Sequence, residues 1–407
     1  LFINLIMSVF MYITLAICIF LIPKLSAEKN LFIIISSTIV FNAIGVEWMY
    51  KGLEKYTYIT IRSFIFKIIA LIAMLVLVHE KKDYLIYGAI TVFAASASNV
   101  LNFINSHKYV YLNHVKKYNI RRHVKPILIF FAMSCATIIY TNLDTVMLGF
   151  MTSDTDVGYY NAAVKIKVVL LGLVTSLGTV LLPRVSYYIE HDMKEQFWEI
   201  SQKAIEFVFV ISLPLIAYFI VFAKEGIYFL SGHAYGGAIL PMQIIMPTLL
   251  WIGLTNIMGM QMLVPLGKEK YVLYSEIAGA IVDLLLNYVL IPHIASKGAA
   301  IGTVIAEFVV WIVQVIALKE CVVEFYRRIQ YEKLVIAILS ATIVSFGIKI
   351  LKWGEFTTLF ISALLFGGTY LAILIITKEP LVLEIYNQMK VKITKIYKRI
   401  LKVEKVD

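Results

Sequence analysis

Charge is what this chain has least of. Asp, Glu, Lys and Arg make up only 15% of its 407 residues, against 60% that are hydrophobic. A soluble chain of that length needs more charge to cover its surface, so a soluble globular protein is excluded. Cysteine is nearly absent as well: Cys18 and Cys135 lie inside apolar runs, and Cys321 follows one. Without a C-x-x-C pair neither a disulfide framework nor a cysteine metal site is supported, and no cofactor is expected. His107, His114 and His123 share one loop but lack metal-ligand spacing. Acidic residues number 26 against 37 basic ones, a net charge of +11. That excess is unevenly spread, so it reads as membrane topology rather than as nucleic-acid binding.

What remains is a succession of apolar runs. Crossing about 30 Å of hydrocarbon takes roughly 20 mostly apolar residues. Such runs fall at 1–23, 31–50, 59–79, 84–105, 126–150, 158–182, 204–223, 238–266, 272–295, 298–318, 334–351 and 358–377. The expected fold is therefore all-α and integral to a membrane, with about twelve transmembrane helices. Pro241, Pro247 and Pro265 predict a kink or partial unwinding in the eighth run.

Taken alternately, the loops separate into two sets. One holds Lys51 and Lys55, the Lys108–Lys125 group, Arg184, Lys194, Lys203, Lys268, Lys270, Lys319, Arg327, Arg328, Lys333 and the Lys-rich tail. The other has little beyond Lys24, Lys29, Lys81, Lys82, Lys224, Lys297 and Lys352. The first set is expected to be cytoplasmic, the C-terminus included. Segment 183–203 mixes charge with Phe197 and Trp198 and suits an amphipathic surface helix. The tail 378–407 suits either membrane lipid or solvent.

Gly52-Leu-Glu-Lys-Tyr56 and Gly267-Lys-Glu-Lys-Tyr271 occupy the same topological place, which points to a duplicated architecture. Aligning the halves leaves the spans at 126–150 and 158–182 without counterparts in the first half. Two helices are therefore expected to precede this sequence in the whole protein, about fourteen in all. The expected organisation is 1–125, four helices of an N-terminal bundle; 126–320, a six-helix C-terminal bundle; 321–377, two trailing helices; and 378–407, a basic cytoplasmic tail.

Ile44-Gly-Val-Glu-Trp-Met-Tyr-Lys-Gly-Leu-Glu-Lys-Tyr56 resembles the Wzx-type polysaccharide flippases. So do Tyr140-Thr-Asn-Leu-Asp-Thr-Val-Met-Leu-Gly149, Val157-Gly-Tyr-Tyr-Asn-Ala-Ala-Val-Lys165 and Ser176-Leu-Gly-Thr-Val-Leu-Leu-Pro-Arg184. That family lies within the multidrug/oligosaccharidyl-lipid/polysaccharide exporters. The resemblance implies two pseudo-symmetric bundles around a central cavity, and alternating access in a bacterial inner membrane. It also implies an undecaprenyl-pyrophosphate-linked oligosaccharide as cargo, with a polymerase and other assembly proteins as neighbours. A cation-coupled multidrug exporter or a murein precursor flippase is the alternative. A membrane glycan polymerase would need larger outer loops or surface carboxylates than this chain has.

An ionisable side chain at a helix centre costs at least about 2.5–3.5 kcal/mol on insertion scales, so each needs a partner, a wet cavity or a function. Asp144 and Lys165 fall level, roughly 10 Å below the outer surface. Two readings stand: an ion pair fixing the hairpin, or Lys165 as a cavity cation with Asn161 one turn before it. Lys167 points the opposite way and suits pairing or snorkelling. Glu47 and Arg62 suit a structural pair, and Arg62 doubles as a cavity cation. Lys67, deeper and without a local partner, is the better candidate for an anionic ligand. In the second half the sign inverts. Asp283 and Asn287 share a helical face with Glu276, and Glu307 lies midway along the next span. Cations for pyrophosphate would then stand against carboxylates for a coupling ion.

Overall fold

A computed structural model describes residues 2–21, 26, 29–109, 121–351, 353–388 and 390. Most of the Lys108–Lys125 loop, including His114, and the tail beyond residue 390 lie outside the described residues. No strand occurs among those described. The chain divides into two compact units, Leu1–Asn119 and Ile120–Asp407.

The first unit contains α1 (Phe2–Leu21), α2 (Lys29–Ile44), α3 (Glu47–Gly52), α4 (Tyr56–Leu77) and α5 (Tyr84–Ser106). The run expected at 31–50 is broken between α2 and α3, where Val46 is left-handed at φ 35°. A break inside an apolar span strands backbone groups that water cannot reach. Here α5 supplies partners: Asn102 donates to the Gly45 carbonyl at 2.9 Å, and Asn99 braces the Asn42 side chain through its Oδ1 at 3.0 Å. The Tyr50 hydroxyl donates to the Asn102 carbonyl at 2.8 Å. Gly45 is required there, because a Cβ would lie 2.6 Å from the Asn99 amide. Between α4 and α5, Asp83 accepts the backbone N–H groups of His79 and Glu80, both at 2.9 Å. Those two donors hold its carboxyl below the ordinary carboxylate range.

The second unit contains α6 (Arg121–Met151), α7 (Asp154–Glu190), α8 (Lys194–Val221), α9 (Ala223–Ser231), α10 (Ile239–Ile245) and α11 (Thr248–Asn256). A π-helical segment, Ile257–Leu263, follows, and then α12 (Glu269–Arg328), α13 (Tyr331–Ile350) and α14 (Glu355–Ile376). The proline-rich eighth run bends by 47° between residues 245 and 248, where Pro247 sits. A straight helix of 60 residues would be about 90 Å long, three times the hydrocarbon core. α12 avoids this by breaking at Ile294 and Ala295, the latter at φ 47° and ψ −127°. Its first two limbs form a hairpin, with Gly298 pressed on the Leu290 backbone, where a Cβ would lie 2.8 Å from the carbonyl. Gly298→Ala is expected to destabilise the fold by about 1–3 kcal/mol, because the obstacle is backbone and cannot swing away. Thermal unfolding of the purified variant checks this, and an unchanged midpoint contradicts the hairpin packing.

Nine described helices are long and apolar enough to cross a membrane, or ten if the bent pair is one span. The expected twelve counts the first two limbs of α12 separately and adds the span within α6. Segment 183–203 is not a surface helix, contrary to expectation. α7 continues to Glu190, Asp192 turns at φ 56°, and α8 begins at Lys194 with Phe197 fully buried. Val185 and Phe197, the apolar residues on either side of that turn, are spent on packing within the bundle.

The trailing helices α13 and α14 are fastened to the rest of this unit along their length. Pro214 lacks the N–H that would bond the Val210 carbonyl, and the Tyr370 hydroxyl of α14 donates to that carbonyl at 2.8 Å. Tyr218 donates to the Leu359 carbonyl at 2.9 Å. Towards one end, Lys349 pairs with Glu225 at 3.3 Å. Towards the other, Lys203 pairs with Glu384 at 3.3 Å, while Leu381 and Val382 are buried. The first turns after α14 therefore pack on the bundle rather than on lipid.

Candidate functional site

Polar side chains inside a bilayer must find partners, so the network they form marks the place where the apolar rule was given up. In the second unit that network gathers around Asp144 of α6, which is 3% exposed. Asn287, on the first limb of α12, donates its amide to Asp144 Oδ1 at 2.5 Å. Thr303, on the second limb, donates to Oδ2 at 2.9 Å, and the Tyr160 hydroxyl of α7 donates to the same oxygen. Three elements thus converge on one carboxylate through charge-assisted hydrogen bonds.

One turn before Asn287 on the same face lies Asp283, fully buried, with neither carboxylate oxygen hydrogen-bonded. Asp144 and Glu307 are the charges that act on it most. Glu307 is one turn beyond Thr303 and 7% exposed. The limbs approach closely enough for this because residue 302 is glycine: a Cβ there would stand 2.4 Å from Asn287 Oδ1 and 3.3 Å from Asp283 Oδ1. The chain directions place Asp283 and Glu307 about one turn to the same side of Asn287 and Thr303. Two adjoining carboxylates, an amide and a hydroxyl make an oxygen-rich pocket suited to a small hard cation or a shared proton. No group of three His, Cys, Asp or Glu side chains with metal-binding geometry occurs among the described residues.

The pairing expected between Asp144 and Lys165 is not the arrangement found. Asp144 is bonded by Tyr160, Asn287 and Thr303, and Lys165 is exposed. Neutral donors on facing helices reach the buried carboxylate, whereas a lysine on the outer side of α7 does not. Asn161 is held by Thr145, whose hydroxyl donates to it at 3.5 Å. Glu47 does not pair with Arg62 either. The break at Val46 turns it onto α3, where it binds Lys51 one turn on at 2.9 Å. Arg62 is 5% exposed, with its guanidinium over the Tyr58 ring and its Nε and Nη1 without hydrogen bonds. Lys67 is exposed on α4, and Glu276 is half-buried on α12. The structure therefore joins Asp144, Asp283, Asn287 and Glu307 in the second unit, while Glu47, Arg62 and Lys67 belong to the first. Sequence reasoning did not single out Thr303, because a threonine hydroxyl in an apolar helix usually bonds its own backbone, nor Tyr160, whose partners lie on other helices.

Residues 1–189 match the family described as polysaccharide biosynthesis protein, and residues 129–289 match MatE. A protein of Shigella dysenteriae named as an O-antigen transporter is 28% identical over 297 residues, 71% of this chain and 72% of that protein. One of Escherichia coli (strain K12), named likewise, is 25% identical over 295 residues, covering 71% of this chain and 70% of the relative. Among solved structures, the lipid II flippase MurJ in an inward closed conformation superposes with a TM-score of 0.64. That match covers 93% of this chain and 83% of the other at 16% identity, a likeness of fold. The chain is a helical multi-pass membrane protein, similar to O-antigen transporters over 71% of its length. These matches agree with the resemblance of its motifs to the Wzx-type polysaccharide flippases.

Proposed function

We propose that this protein carries undecaprenyl-pyrophosphate-linked oligosaccharide units across a bacterial inner membrane by alternating access, for surface polysaccharide biosynthesis. The similarity to O-antigen transporters over 71% of the chain carries this reading. In it the protein is a transporter rather than an enzyme, its C-terminus is cytoplasmic, and a polymerase takes up the delivered units. Lys67 and Lys165, both exposed, are assigned to the pyrophosphate. Arg62 and Asn161 are assigned to the same cargo, and Glu276 and Glu47 to its electrostatic surroundings. The Asp144–Asp283 pocket, with Glu307 beside it, is assigned to the coupling cation. A buried acid pair can take up and release a cation as the helices around it move.

The MatE match over 129–289 includes Asp144 and Asp283, which favours a cation-coupled drug exporter as the second reading. Deleting the gene in its host and extracting membrane lipids separates the two. Lipid-linked oligosaccharide is expected to accumulate on the cytoplasmic side while surface polysaccharide is lost. Normal polysaccharide together with raised drug sensitivity supports the exporter instead.

A further inference from the structure

α7 presents a buried stripe that runs through Tyr160, Ala163, Val174 and Gly178. Lys167, half-buried, borders that stripe seven residues beyond Tyr160, about 20° from it around the helix and roughly 10 Å further along. From there it meets the deeper layer of the acid pocket. The charges acting on its ammonium are those of Glu307, Asp144 and Asp283. Those groups come from α6 and from both limbs of α12. Lys165, two residues away, is turned outward.

We infer that Lys167 is a tethered ammonium that weakens binding of the coupling cation at the Asp144–Asp283 pair and so allows its release. This rests on the assignment of that pair as the cation pocket. The physical reason is a conflict of demands. Two adjoining carboxylates in a low-dielectric interior would hold a cation too tightly to let it go. A transport site must bind strongly enough to fill and weakly enough to empty. A fixed positive charge beside the pair lowers the affinity without occupying a ligand position. Lysine suits this, because its charge sits at the end of a flexible stem and can retreat when the cation arrives. Lys167 is thus a positioning residue for the cation, with no contact to the glycan required.

The test uses the full-length protein in lipid nanodiscs at fixed pH, with sodium chloride exchanged for N-methyl-glucamine chloride at constant ionic strength. The thermal unfolding midpoint is followed against sodium concentration, since a ligand that binds only the folded state raises it. Wild type is expected to respond to sodium, and Asp283→Asn to lose the response. Lys167→Met and Lys167→Gln are expected to half-saturate at about tenfold lower sodium, the effect of removing one nearby unit charge in a partly screened interior. Lys167→Arg is expected to behave as wild type. A merely structural lysine would move the baseline midpoint of its variants but not the half-saturation point. If Asp283→Asn loses the response while the neutral variants half-saturate as wild type does, the pocket stands and the role of Lys167 falls. If Asp283→Asn responds like wild type, or no protein responds to sodium, the pocket itself falls and this inference with it.

Discussion

Asp144→Ala is expected to abolish export of the lipid-linked glycan in cells. The carboxylate is the common acceptor for Tyr160, Asn287 and Thr303, so its removal takes away half of the acid pair and the group that aligns three helices. Stability should fall less completely. Thr303 keeps the Ala299 carbonyl as a partner at 2.9 Å, and the Tyr160 hydroxyl keeps Thr303 at 2.9 Å. Only the Asn287 amide is left without an acceptor, a cost of about 1–3 kcal/mol. Asp144→Asn separates the two effects, because it retains one acceptor oxygen for Asn287 while removing the charge. Surface polysaccharide measured by gel, alongside membrane levels of the protein, reads out both. Export by Asp144→Asn at the wild-type rate would remove charge at this position from the mechanism.

The second large effect is expected at Lys67 and Lys165. Changing either to Ala in the full-length protein should abolish export, and Arg should restore part of it, because a phosphate-bearing cargo needs the charge more than the shape. The earlier rival, a structural pair between Lys165 and Asp144, made a different prediction: exchanging the two residues would restore function. The structure gives Asp144 other partners, so the exchanged protein should fail. Full export with both lysines replaced by Ala would end the assignment of these cations to the cargo.

Much of the fold was legible because membrane helices obey a local rule. Twenty apolar residues must cross whatever surrounds them, and prolines mark where a crossing bends. The acid constellation was half legible. Asp283, Asn287 and Glu307 stood out because charges and amides are rare in such runs, and the helical period put the first two on one face. What the sequence could not yield was which limb meets which. The hairpin at Ala295 brings Thr303 within reach of Asp144, 159 positions away in the chain, and no periodicity reports that. The Glu47–Arg62 expectation failed for a related reason. It assumed a continuous helix through residue 46, whereas Asn99 and Asn102 of α5 supply the partners that let the helix break there.

The bond from Tyr370 to the Val210 carbonyl sets an order of events in assembly. Helix α8 enters the membrane early, carrying at Pro214 a carbonyl that its own backbone cannot cap. Its donor is synthesised 160 residues later, on α14. Until that helix arrives, α8 must keep the carbonyl wetted or borrow a neighbour's hydroxyl. A nascent chain stopped at residue 350 would hold every span of the acid pocket yet still lack the donor that completes α8.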